Sequence, residues 1–70
     1  MAGPTVAYTV RYFSSVVAEL VAFGLPADEI EGAVEMLLVD AHRDHPSVLD
    51  EAAADVRANL DAALAVLRAS

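Results

Sequence analysis

This chain of 70 residues has no cysteine and no lysine, and only three glycines and three prolines. Without cysteine there is no disulfide, no thiolate metal ligand, no cysteine nucleophile and no thiol redox chemistry. The glycines stand far apart, so no glycine-rich loop is available to cradle a phosphate. Four arginines face eleven acids, for a net charge of −7. Such a chain repels phosphate backbones, which weighs against nucleic acid as a partner. Long apolar runs are missing too, because Arg11, Ser14, Ser15 and Glu19 interrupt them. Met1–Pro4 carries no basic region, so neither a signal peptide nor a membrane span is expected, and the expected setting is the cytoplasm.

What the chain has in quantity is apolar surface. Fifty-seven per cent of its residues are hydrophobic. A short chain buries a smaller share of its surface than a long one, and below roughly 70–80 residues small proteins usually add a staple. With disulfides excluded, self-association is the staple expected. Charge is spread unevenly. Residues 1–27 hold only Arg11 and Glu19, whereas residues 28–55 hold nine acids against Arg43. An acidic face of this kind keeps an apolar protein dissolved or meets a basic partner.

Turn and cap residues divide the chain into three segments, read as one domain over residues 1–70. In the third, Ser47 follows Pro46 at a position suited to an N-cap, and Asp50 and Glu51 place negative charge in the first turn. Leu49, Ala53, Val56, Leu60, Ala63 and Leu67 then recur at alternating spacings of four and three, a heptad seam on a helix over about 48–69. In the middle segment, Asp28 and Glu31 form a capping-box pattern. Ile30, Val34, Leu37 and Ala41 make a buried stripe flanked by Ala33 and Leu38, and Pro46 stops the helix, predicted over about 29–44. Gly32 weakens that helix by about 1 kcal/mol relative to alanine and invites close packing against another backbone.

The first segment has two readings. As a helix over about 5–23, it carries one stripe of Val6, Val10, Phe13, Val17, Leu20 and Val21, and a second of Tyr8, Tyr12, Val16 and Phe23. As a strand, residues 5–12 alternate strictly, and β-branched and aromatic residues favour that state. A strand here, a short helix from Ser14, the turn at Gly24 and a capped helix at Asp28 together resemble ribbon-helix-helix regulators. That resemblance implies a dimer whose paired strands enter the DNA major groove, with Ala7, Thr9 and Arg11 facing outward. The helix is preferred, because its stripe spans the whole segment.

Candidate chemistry is sparse. Glu31, Glu35 and His42 project on one helical stripe with His45 beside it, the kind of face on which helical bundles build zinc or di-iron sites. Leu38 interrupts that stripe, and one helix supplies too few ligands, so no metal and no cofactor is expected. Ser14, Ser15 and Ser47 have no histidine placed beside them by the sequence, and no catalytic residue is expected. Acyl carrier proteins open their second helix with Asp-Ser-Leu, but here the text reads His45-Pro46-Ser47-Val48-Leu49, which excludes that likeness.

The resulting expectation is an all-α, antiparallel three-helix bundle completed by homodimerisation. Its function is that of a non-catalytic, acidic protein–protein interaction module, in the manner of an adaptor, inhibitor or antitoxin. Val6, Val10, Phe13, Val17, Leu20, Leu49, Val56, Leu60 and Leu67 are the expected self-association residues. Glu31, Glu35 and Asp40 are the expected contacts for a basic partner. The alternative is the ribbon-helix-helix-like DNA-binding dimer with a strand at 5–12.

Overall fold

The structure, a computed structural model, describes residues 3–70, with side chains from Thr5 onward. Met1–Pro4, on which the leader expectation rests, lies outside the described side chains. Three helices follow in order: α1 over Gly3–Ala22, α2 over Ala27–Asp44 and α3 over Pro46–Ala69. The described residues contain no strand. The strand reading of 5–12, and with it the ribbon-helix-helix alternative, is therefore corrected: these residues are the first turns of α1. Packing decides the matter over local propensity, since only a helix brings Val10, Phe13 and Val17 onto one side against the core. Within α1 the Thr9 hydroxyl donates to the Thr5 carbonyl at 2.9 Å, so a residue that disfavours helices is satisfied inside one.

The α1–α2 turn follows from Gly24, whose φ of +83° is a conformation that side-chain-bearing residues avoid. Its N–H donates to the Val21 carbonyl at 3.0 Å, and that of Leu25 to the Leu20 carbonyl at 3.4 Å. This pair is the Schellman arrangement, which satisfies carbonyls left over at a helix end. The α2–α3 connection is a single residue. His45 donates its N–H to the Ala41 carbonyl at 2.8 Å and accepts from the Leu49 N–H at 3.1 Å, closing one helix and opening the next. Pro46 occupies the first turn of α3, where a missing N–H costs nothing.

Both expected side-chain caps are corrected. Pro26 stands at the α2 N-cap and His45 at that of α3, and neither makes a side-chain capping bond. Asp28 and Ser47 lie one or two residues inside their helices, because each helix begins earlier than the pattern implied.

Because one residue separates them, α2 and α3 fold back on each other. Polar pairs mark their antiparallel register: His42 with Asp50 at 2.9 Å, Glu35 with Arg57, and Asp28 with Arg68 at 3.1 Å. On the other side α1 lies alongside α3, with the Asn59 amide donating to the Ser14 hydroxyl at 3.2 Å. Contact between α1 and α2 is slight. The central helix is therefore α3, and it supplies half of the buried residues: Leu49, Ala52, Val56, Leu60 and Leu64. Phe13 and Val17 from α1, and Ile30, Val34 and Leu38 from α2, complete the core. No polar side chain is buried among the described residues. At 40 × 19 × 17 Å, the molecule is about as long as its longest helix at roughly 1.5 Å per residue.

Candidate interaction surface

Two helices packed on a third leave a cleft wherever the outer pair diverge. Here a groove lies beside the α2–α3 junction, between the N-terminal half of α1 and the C-terminal half of α2, two helices that make little contact with each other. The groove has a volume of about 370 Å³. Tyr8, Tyr12 and Phe13 wall it on α1, Leu37 and Ala41 on α2, and Val48 and Leu49 on α3. Its rim carries Thr5, Thr9, Asp40, Asp44 and His45. The Tyr12 ring meets that of Phe13 edge-on, at a centroid separation of 5.5 Å and an interplanar angle of 88°. That geometry suits the ring quadrupoles and leaves the rest of Tyr12 facing outward.

Solvent reaches much of this surface. Tyr8 is 63% exposed, Tyr12 49% and Leu37 36%, values far above those of the core. Leu37 had been expected in the buried stripe of α2, and Leu38 takes that place instead. The reason is geometric. The side of α2 that meets α3 runs Ile30, Val34, Leu38, and Leu37 is turned one residue away, toward the cleft. Other exposed apolar residues lie apart from the groove: Phe23 in the turn after α1, Met36 and Val39 on α2, and Val66 on α3.

The expected self-association residues are placed differently from the groove. Phe13, Val17, Leu49, Val56 and Leu60 are buried inside the chain's own core, and Val10, Leu20 and Leu67 pack partly buried against it. Val6 is half-buried. The first eight of these side chains are thus packed within one protomer. Comparison with protein-family models, with curated proteins and with solved structures finds no match for this chain. The surface has to be read from its own chemistry.

That chemistry is uneven in charge. Glu31 and Glu35, expected to await a basic partner, reach across to α3: Glu35 pairs with Arg57, and Glu31 lies 3.9 Å from Arg68. Asp40 is 3.5 Å from Arg43 on its own helix. The three therefore do not stand together as an unpaired face. His42 meets Asp50, so the proposed Glu/His stripe is divided between separate pairs. Among the described residues, no three acidic or histidine side chains converge on a point where an ion would sit. The outer side of α1 holds Arg11 as its cation, and Arg11 makes no ion pair among the described residues, unlike the other three arginines. Among the described residues, no helix is long and apolar enough to cross a membrane.

Proposed function

We propose that this chain is a non-catalytic protein–protein interaction module that works as a homodimer, in the manner of an adaptor, inhibitor or antitoxin. The observation that carries the reading is the tyrosine-lined groove, an apolar surface left open once the core is complete. Tyrosine beside aliphatic residues is the composition from which interface hot spots are built, since it offers large contact area at low entropic cost. The proposed setting is the cytoplasm, a reading supported by a cysteine-free composition.

A basic protein remains the proposed second partner, supported by the net charge of −7. Such a partner would meet Glu31, Glu35 and Asp40 only by competing with Arg68, Arg57 and Arg43. Light scattering over a dilution series tests the homodimer. A mass of twice 7.3 kDa that falls on dilution supports it. A mass of one chain at every concentration, with a helical circular dichroism spectrum, refutes it.

A further inference from the structure

We infer that the tyrosine-lined groove seats the basic partner, as a short amphipathic helix of another protein. Its apolar side chains enter the groove while its arginines or lysines meet Asp40 and Asp44. This rests on the reading of the chain as an interaction module with a basic partner, and gives that partner a site.

Shape favours a helix. Each wall of the groove presents four residues at the same helical spacing: Thr5, Tyr8, Thr9 and Tyr12 on α1, and Leu37, Asp40, Ala41 and Asp44 on α2. At about 1.5 Å per residue, each wall is about 10 Å, or two turns, long. Between them the groove reaches down to Phe13 and Leu49, which belong to the core. An extended segment laid there would leave backbone groups unpaired, because the described residues contain no strand edge to receive it. A helix pairs its own backbone and needs only apolar side chains at matching spacing. The patch of Met36 and Val39 lacks this shape, since α2 alone lines it and no wall faces it.

Charge favours a basic helix. Among the described residues that line the groove, Asp40 and Asp44 are the acids, His45 is the one basic side chain, and no arginine is present. Asp44 makes no ion pair among the described residues. Asp40 meets Arg43 at 3.5 Å with both side chains more than half exposed, a pair worth little and readily exchanged. Glu31 and Glu35 are less available, because they face Arg68 and Arg57 on α3. Asp40 and Asp44 stand one turn apart, so cations one turn apart on the incoming helix meet both. The α1 wall is uncharged, and its exposed tyrosine rings suit a guanidinium. A second copy, itself carrying −7, is the occupant that this charge disfavours.

A synthetic peptide added to the full chain tests the assignment. It is alanine-based, capped at both ends and about 14 residues long, with leucines at i, i+3, i+4 and i+7 and arginines flanking that stripe. Titration calorimetry compares it with a shuffled peptide of identical composition and with one carrying glutamate for arginine. Both should bind at least tenfold more weakly. Asp40→Asn with Asp44→Asn should weaken the arginine peptide at least tenfold. Asp55→Asn with Asp61→Asn removes the same charge from exposed positions on α3 and should change binding less than threefold. Tyr8→Ala should weaken binding too, with an unchanged circular dichroism spectrum because Tyr8 is exposed. Amide shifts in nuclear magnetic resonance should centre on residues 5–12, 37–44 and 48–49.

Equal binding of the shuffled peptide, or equal weakening by both aspartate pairs, would reduce the effect to general attraction and overturn the groove as the seat. Shifts centred on Glu31 and Glu35 would overturn it as well, while leaving the basic-partner reading standing. No binding by either arginine peptide overturns both. If Tyr8→Ala instead dissociates a dimer seen by light scattering, a second copy fills the groove and this choice of occupant is wrong.

Discussion

Gly32 and Gly24 invite the same substitution and should answer it with opposite signs. Both have open space where a Cβ would stand, with no atom within 4 Å of its position. Sterics against neighbours are therefore removed as a variable, and backbone conformation alone decides. Gly32 lies inside α2 with ordinary helical geometry, Gly24 being the glycine with positive φ. Gly32→Ala restricts the unfolded chain and removes the helix penalty of glycine, a gain of about 0.5–1 kcal/mol. For a domain of this size that corresponds to a melting temperature roughly 2–8 °C higher. Gly24→Ala forces a side chain into the left-handed region at a cost of roughly 1–2 kcal/mol. Thermal unfolding followed by circular dichroism, at one fixed protein concentration, measures both. A Gly32→Ala variant that melts below wild type would refute the reasoning, and would mean that another backbone does lie against Gly32 in the working protein.

Other expectations are simpler. Leu64→Ala removes a fully buried side chain from the central helix and should cost about 2–5 kcal/mol in urea unfolding, whereas Leu67→Ala, only partly buried, should cost less. The Glu35–Arg57 pair is half-exposed, so a double-mutant cycle with alanine should give a coupling of no more than about 1 kcal/mol. Glu35→Lys should cost more than Glu35→Ala, because it sets a cation beside Arg57. Amide hydrogen exchange should be faster over residues 5–9 of α1, none of which is buried, and slowest around Val34, Val56 and Leu60.

Periodicity made most of the fold legible. The stripes through Val34 and Val56 are strong because each belongs to a long helix with one side against the core, and both helices were expected within about two residues of their observed bounds. Helix starts were less legible. Asp28 and Ser47 are favoured caps by type, but Pro26 and His45 already deliver the chain in a conformation from which the helix can begin. Leu37 and Leu38 are adjacent and alike, so only the placement of α3 decides which one is buried. The heptad on α3 carries a related lesson. A helix that serves two neighbours needs a broader apolar side than one seam, which is why Ala52 and Leu64 are buried beside the expected Leu49, Val56 and Leu60. Tyr8 and Tyr12 stood out as a second strip on α1, yet the groove they border was not visible. Its other walls come from α2 and α3, so it exists only once the three helices are packed.

The central position of α3 also orders events in time. A ribosome delivers α1 first and α3 last, and between them α1 and α2 have little surface to offer each other. At about 5–20 residues per second, the 24 residues of α3 take roughly 1–5 s to appear. For that interval Phe13 and Val17 have no Leu60 or Leu64 to pack against. The first two helices wait exposed for the third, and that wait is when the nascent chain is most open to chaperones and to aggregation.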